Sequence, residues 1–584
     1  MTDDQLTLQE ATDRMTAPGQ IFETERTTVN GIDMTVWRHA PATLRQILDL
    51  SKNHGSKDFL VYEDQHFTFE EHYALAATLA QRLVDVGVKK GDRVAIAARN
   101  LPEWVIAFWG TVITGAIVVP LNAWWTTDEL VYGLNDSGAS VLFTDEERLD
   151  RVRPRLDELR SLSTIVVLSE GSERDATGVP VAGVRIDSFR GFLGPVDPLA
   201  TPPDIALEAD DDVTILYTSG TTGHPKGAVG SHRNIITNFM NLAFSAQRAA
   251  LRAGSTSSPG ADSAQNAVLL SIPFFHATGC HAVLVPSTVV GAKIVMMHHF
   301  DAGQALGVIE RERITGIGGV PTVAMQIIDH PDFDKYDTSS VKSIAYGGAP
   351  APPELVRRLR ARFPLGQPSN GYGLTETSAG ISNNSGDDYV EKPESCGPAY
   401  PVNEVAIVPE DYEGLEPADD LPQGPEVIGE LWIKGPNVIR GYWNKPDATA
   451  KAFTNGWLHS GDIARIDDDG FIYIVDRAKD MIIRGGENVY SVIVEAAIFE
   501  HPDVADCAVI GLPHPTLGEE VAAVVVLRPG RVIEGEEISR HVATRLAKFE
   551  VPTRVIFYSS PLPRNPQGKV LKRELRESLL TERV

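Results

Sequence analysis

The stretch Tyr217–Gly227 reads YTSGTTGHPKG and packs three glycines, four aliphatic hydroxyls and one lysine into eleven residues. Small residues let the backbone approach an anion, and hydroxyls and amide N–H groups donate to its oxygens. Lys226 adds a point charge. The stretch is therefore a candidate polyphosphate cradle, with Thr218, Ser219, Gly220, Thr221, Thr222 and Lys226 as its donors. It is not a Walker A loop. That pattern follows Gly-Lys directly with Ser or Thr, whereas here Pro225 precedes the lysine and Gly227 follows it. The alternative is an exposed Gly/Thr turn, and the flanks weigh against it. VTILYTSG (213–220) reads as an apolar strand and SHRNIITNFMNLAFSAQRAALRA (231–253) as a helix, placing the loop between strand and helix.

Outward from this point strands and helices alternate. AVLLSIP (267–273) and SVKSIAYGG (340–348) read as strands; DAGQALGVIERER (301–313) and PPELVRRLRARF (352–363) read as helices. The alternation predicts parallel sheets covered by helices. The apolar run 105–121 is too short for a membrane span and reads as a buried helix passing into a buried strand. GSTSSPGADSAQ (254–265) is a Gly/Ser/Pro-rich surface loop. From Gly429 the pattern shifts to short strands and tight turns, including an Asp-Gly hairpin in IARIDDDGFIYIVDR. Beyond Arg477 a compact unit carries strands ADCAVIGL, EVAAVVVL and RVIFYSS and helices EGEEISRHVATRLAKF and VLKRELRESLL. The fold class is α/β. A large N-terminal domain of helix-covered sheets plus a β-rich subdomain (1–476) precedes a small mobile α+β C-terminal domain (477–584), joined at RAKD (477–480).

The 584 residues are too many for one core. Hydrophobic and charged fractions of 42% and 23% suit a soluble globular enzyme. The N-terminal MTDDQLTLQEATDRM lacks the apolar run of a signal peptide. Cys280, Cys396 and Cys507 are widely spaced and point to neither a disulfide framework nor a zinc site, which fits a reducing cytoplasm. The net charge of −26 argues against a general nucleic-acid binder, which would normally show a basic footprint. From Arg477 onward fifteen Lys+Arg balance fifteen Asp+Glu, so the whole excess lies before that point. An anionic ligand must be held there by local donors and single lysines.

Further motifs follow in order: YGGAP (346–350), NGYGLTET (370–377), GELWIKGPNVIRGYW (429–443), HSGD (459–462), DRAKDMIIRGGENVYSVIVE (476–495) and PRNPQGK (563–569). Together with the opening loop they resemble the core motifs of the adenylate-forming superfamily of acyl-CoA synthetases, peptide-synthetase adenylation domains and luciferases. The resemblance runs from about residue 40 to the end.

It implies the following roles. The 218–226 loop holds the β- and γ-phosphates of ATP. Gly347, Gly348, Ala349 and Pro350 line the adenine slot, with Gly371, Tyr372 and Gly373 beside them and Tyr372 stacked on the base. Glu376 ligates Mg²⁺ and Thr375 donates to the α-phosphate. Asp462 accepts from the ribose hydroxyls, work suited to an ionised carboxylate, and Arg477 adds a second ribose contact. Lys569 reaches carboxylate and α-phosphate and offsets their repulsion. Lys479 matches a hinge between two arrangements of the small domain, one for adenylation and one for thioester formation. In the second, Arg484, Gly485 and Gly486 face the pantetheine arm of CoA. Three residues depart from the common pattern: Asn565 and Ser460 stand where threonine is usual, and Ser491 where proline is common.

SIPFFHATGCHAV (271–283) matches the stretch lining the acyl pocket. Amino-acid-activating relatives carry an aspartate where this chain has His276, so an amino acid is disfavoured. Thr278, Gly279 and Ala282 are small, which fits a roomy pocket for a fatty, aryl or arylpropenoic, or terpenoid/steroid acid. His276 can also be read as a structural histidine. The resemblance implies an AMP-forming acyl-CoA synthetase using ATP, Mg²⁺ and coenzyme A, with no nucleic-acid partner, no integral membrane segment and self-association left open. Loading of a carrier protein or amine in trans, and a nucleotide-binding pseudoenzyme, remain as alternatives.

Overall fold

The computed structural model describes residues 6–168, 183–218, 224–254, 264–348, 353–409, 412–418, 420–565 and 568–581. Two large sheets share one layer of helices. The first runs, in spatial order, Lys226–Ser231, Asp212–Thr218, Ile117–Pro120, Arg93–Ala97, Val141–Thr144, Thr164–Val167 and Arg185–Ser188. Only Lys226–Ser231 is antiparallel to its neighbour. The second runs Ala379–Ser385, Gln367–Leu374, Ser343–Gly347, Gly316–Gly319, Ala267–Leu270, Lys293–Met296, Asp58–Tyr62 and Gln65–Thr68. It is parallel inside, with an antiparallel strand at each edge.

The helix Pro102–Val112 buries every residue except Glu103, so it needs apolar partners on all sides. It finds them between the sheets. Trp104 and Phe108 share one core with Val94, Ile96 and Val118 of the first sheet and Phe59, Leu60 and Ile294 of the second. As the apolar run predicted, a buried strand, Ile117–Pro120, follows that helix. The outer face of the first sheet is covered by Thr127–Ser137 and Glu146–Val152, that of the second by Ala302–Glu312, Pro321–Ile328 and Pro353–Arg362.

A third, antiparallel sheet holds Gly397–Pro398, Phe471–Arg477, Trp457–Ile466, Gly429–Lys434 and Glu404–Val408. Its Asp-Gly turn closes with the Asp467 N–H donating to Phe471 O at 3.0 Å and Gly470 at φ 80°. Two acidic side chains of this turn are paired. Lys392 Nζ lies 2.7 Å from both Asp467 and Asp469. The last sheet, Glu487–Val489, Ile482–Arg484, Gly518–Leu527 and Val504–His514 with Arg554–Tyr558, carries a separate core on each face. The chain thus divides into a large N-terminal domain and a small α+β C-terminal one.

Two sequence expectations need correction. The chain does not pass directly from strand to helix here: Lys226–Ser231 pairs antiparallel with Asp212–Thr218 as the second arm of a hairpin, and the helix begins only at His232. The second strand, KGAVGS, escapes hydrophobic alternation because it needs glycines. A Cβ on Gly227 would stand 2.5 Å from Ile215 Cγ2, and one on Gly230 2.7 Å from Thr214 Oγ1. The 267–273 strand ends at Leu270. Pro273 cannot continue a ladder, and Asn100 takes over the backbone, donating to Ile272 O (3.0 Å) and accepting from Phe274 N (2.8 Å).

Four histidines, three buried and His276 half-buried, are kept neutral by loss of solvent. It holds His72 and His276 down to about 3, and His232 and His281 to about 4, from an ordinary 6.5. Below pH 6.5 the unfolded chain binds protons that the folded one refuses, so stability present above 6.5 is lost as pH falls toward 4. Each imidazole costs about 1.4 kcal/mol per pH unit in that window. Denaturant midpoints measured from pH 7 to pH 5 should fall; a midpoint unchanged over that range would contradict the burial of these rings.

Candidate active site

In open α/β sheets ligands bind beyond the carboxyl ends of the strands. The carboxyl ends of four adjacent parallel strands in the second sheet lead into the His276 stretch, Val320–Thr322, Gly347-Gly348 and Gly371–Gly373. The glycines there are steric necessities. A Cβ on Gly347 would meet Gly371 O at 2.5 Å, one on Gly373 would meet Ala379 O at 1.6 Å, and Gly348 sits at φ +74°.

The third sheet brings its own groups to this edge. Asp462 and Arg477 face each other across two paired strands. The Asp462 carboxylate, only 2% exposed as a residue, accepts from Tyr372 Oη at 2.6 Å and lies 3.1 Å from Arg477 Nε. A buried carboxylate is tolerable only with such partners. Tyr372 is thereby fixed at its hydroxyl end, and burial beside Asp462 raises its pKa well above the ordinary phenol value. Ser460, in place of threonine, still accepts from Asp462 N at 3.1 Å.

Lys569 arrives from the C-terminal unit. Its N–H donates to Asn565 Oδ1 at 2.9 Å while Asn565 N donates back to Lys569 O at 2.9 Å, so the asparagine closes the loop. Gly568, at φ +79°, leans on Val320 and Thr322, where a Cβ would stand 2.9 Å from Val320 Cγ2. Burial, aided by the cations Arg477 and Lys479, lowers the Lys569 amine to about 8; Asp462 and Asp480 oppose the shift. Lys479 itself is exposed, in a turn where Asp480 N and Met481 N both donate to Arg477 O.

Thr375 and Glu376 lie on a single helical turn, Thr375–Thr377. Tyr442 Oη donates to Glu376 Oε1 at 2.8 Å, and Lys226 Nζ stands 5.0 Å from the centre of the same tyrosine ring. Trp443 N donates to Gly227 O and Val229 N to Gly441 O, clipping the Tyr442 segment along the hairpin. The turn is held from beneath by buried asparagines. Asn437 donates to Thr377 O and Gly380 O, Asn403 to Asn437, and Asn241 to Asn403. At the hairpin, Thr218 Oγ1 donates to Lys226 O (3.4 Å), Tyr132 Oη to Pro225 O (3.0 Å) and Tyr217 Oη to Asp136 (2.8 Å). Ser219, Gly220, Thr221, Thr222, Ala349 and Pro350 lie outside the described residues.

Among the described residues no group of three or more His, Cys, Asp or Glu forms a metal cage. Mg²⁺ carried on phosphates would need only one or two protein carboxylates and keep its waters. Glu376 has Oε2 outside the Tyr442 bond to offer.

In the 271–283 stretch the Phe275 ring meets Trp124 edge-on at 5.4 Å, and His276 is a neutral imidazole held down by burial. Gly279 packs tightly rather than opening space: a Cβ there would meet Pro273 O at 2.3 Å. Thr278 is exposed and Ala282 half-buried, both on the π-helical segment Thr278–Leu284. Such segments recur at functional sites. Arg484, Gly485 and Gly486 form a hairpin bonded to Leu517 O and Phe549 O of their own unit, with both glycines exposed.

Sequence reading missed Tyr442, Asn437 and Asp136 as builders of this site. Tyr442 and Asn437 lie inside the quoted GELWIKGPNVIRGYW run, where the signal was present but not resolved to residues. Asp136, in the last turn of the helix Thr127–Ser137, left no signal.

Two family models match: AMP-binding enzyme over residues 49–443, and AMP-binding enzyme C-terminal domain over 493–569. The chain is 36% identical over 510 residues to a feruloyl-CoA synthase of Amycolatopsis sp., covering 87% of this chain and 93% of that one. It is 36% identical over 552 residues to the 3-[(3aS,4S,7aS)-7a-methyl-1,5-dioxo-octahydro-1H-inden-4-yl]propanoyl:CoA ligase of Mycobacterium tuberculosis, covering 92% and 99%. Among solved structures, a Mycobacterium tuberculosis fatty acyl CoA synthetase superposes with a TM-score of 0.66 at 31% identity, covering 92% and 99%. The chain belongs to the AMP-binding enzyme family and is an AMP-forming acid–thiol ligase.

Proposed function

We propose that the protein activates a hydrophobic carboxylic acid in two steps at one pocket. A carboxylate oxygen attacks the α-phosphorus of ATP and expels pyrophosphate. The CoA sulfur then attacks the acyl carbonyl and AMP leaves. The observation that carries this reading is the convergence of Asp462, Arg477 and the partly desolvated Lys569 at the strand ends.

Asp462 and Arg477 take the ribose, Tyr372 and Gly347–Pro350 the base, and the 218–226 hairpin the outer phosphates. Thr375 and Glu376 serve the α-phosphate and Mg²⁺, which would neutralise phosphate charge. Lys569 places its ammonium between two anions. The domains divide at 476/477 with Lys479 as hinge, and rotation there brings Arg484–Gly486 to the pocket for thioester formation. The named relatives act on an arylpropenoic, a bicyclic and a fatty acid, so the acid is drawn from hydrophobic classes. A neutral His276 offers no charge to an α-ammonium.

A panel of these acids, read by pyrophosphate release with and without CoA, tests the reading. The best acid should be hydrophobic and the product a CoA thioester. Release with an amino acid alone, or product only with a carrier protein or amine, would overturn it. Lys569→Ala should lower ATP–pyrophosphate exchange by roughly 10²–10³ while nucleotide binding persists; near-normal exchange would remove Lys569 from the chemistry.

The charged amine is the working form. Hence kcat/KM, which reports the free enzyme, should decline as pH rises through about 8. Lys569→Arg should abolish that limb even if slower, and a limb unchanged by this substitution would assign it to another group. Glu376→Gln keeps shape but loses charge, so it should raise the Mg²⁺ concentration needed for half-maximal exchange. An unaltered Mg²⁺ dependence would free Glu376 of that role.

A further inference from the structure

The loop that carries Lys569 is tied at both ends. At its entrance Arg564 pairs with Asp506 at 2.6 Å and donates to Gly568 O. At its exit stands Lys572, first residue of the helix Lys572–Thr581 and three positions beyond Lys569. Its ammonium lies 2.7 Å from Glu495 Oε1 and donates to Ser491 Oγ at 2.6 Å. Glu495 also accepts from Val509 N, so this pair belongs to the C-terminal unit.

Ser491 points the other way. Its N–H donates to Asp476 Oδ2 at 2.5 Å and its hydroxyl to Asp476 Oδ1 at 3.0 Å. Asp476 is a residue of the strand Phe471–Arg477 in the third sheet, and is itself 2% exposed. The Arg477 N–H donates to the same carboxylate at 2.7 Å, and the Arg477 side chain holds Asp462. A run of polar contacts therefore links Lys572, Ser491, Asp476, Arg477 and Asp462, and returns to the pocket that Lys569 enters.

We propose that Lys572 is a positioning residue for adenylate formation: through Ser491 it grips Asp476 and seats the C-terminal unit so that Lys569 meets Asp462 and Arg477. This rests on the reading that Lys569 acts in adenylation. Buried charges tolerate only the geometry that satisfies them, so this contact fixes one placement of the unit against the third sheet. A proline at 491, common at that position in the family, has no N–H for Asp476. Ser491 supplies two bonds there.

The experiment compares Lys572→Met, Lys572→Arg and Ser491→Ala with wild type and Lys569→Ala in the full chain. Ser491→Ala leaves the Lys572–Glu495 pair intact, which guards against a simple folding defect. Each protein is assayed for pyrophosphate exchange, for thioester formation from supplied acyl-adenylate, and for the pH limb of kcat/KM. In this arrangement Lys569 is faced by Arg477, Lys479, Asp462 and Asp480.

Lys572→Met should lower exchange kcat roughly 10²-fold, the effect of a misplaced catalytic group, with KM for ATP little changed. Thioester formation should persist. The limb near pH 8 should move up toward an ordinary lysine, because Lys569 leaves its desolvated seat. Lys572→Arg should recover most of the loss, and Ser491→Ala should move all readouts the same way by less. Equal loss in both half-reactions with the limb unmoved would overturn the proposal. So would normal exchange in Lys572→Met where Lys569→Ala has none. Intact exchange in Lys569→Ala would instead strike the adenylation reading, and this inference with it.

Discussion

A carboxylate with almost no solvent is expensive to keep, and the pocket is arranged around one. Asp462 is held by a phenol from the second sheet and a guanidinium from its own sheet. Those two partners fix how the sheets meet at the strand ends. The same carboxylate is the anion nearest in effect to Lys569, which comes from the loop before the C-terminal helix Lys572–Thr581. Two sheets and the C-terminal unit thus converge on one charge. Removing Arg477 would leave that charge buried without its paired guanidinium.

Electrostatics explains why the convergence is needed. The chain before Arg477 carries the entire net charge of −26, a field that repels a nucleotide and an acid alike. The pocket answers with Arg477, Lys479 and Lys569 on one side and Lys226 on the other. Their crowding and desolvation lower the Lys569 amine, which arriving phosphates would raise again. In the proposed reaction, binding and catalysis would be coupled through that one proton. The asparagine chain beneath Glu376 does complementary work without charge, since neutral amides hold backbone carbonyls at a smaller desolvation cost than ions.

Much of this was legible in the sequence, because it depends on local chemistry. The buried helix Pro102–Val112, the Asp-Gly hairpin and the glycine-lined strand ends each follow from residues in one short window. What escaped were features set by distant partners. The strand Lys226–Ser231 looks like a loop until Ile215 and Thr214 are seen filling the space its glycines leave. Gly279 suggests an open pocket until Pro273 O is found against it. Tyr442 on Glu376 spans 66 residues, and Asn241 on Asn403 spans 162. No periodicity encodes such pairs.

The direct test of convergence needs neither substrate nor turnover. Lys569 can be labelled with an amine-reactive reagent over a range of pH and its peptide quantified by mass spectrometry, in wild type and in Asp462→Asn. Wild type should titrate near 8, and the substitution should lower that value further, because it removes an anion that favours the ammonium. A Lys569 that titrates near 10.5 in both proteins, or identically in both, would contradict a shared, desolvated site.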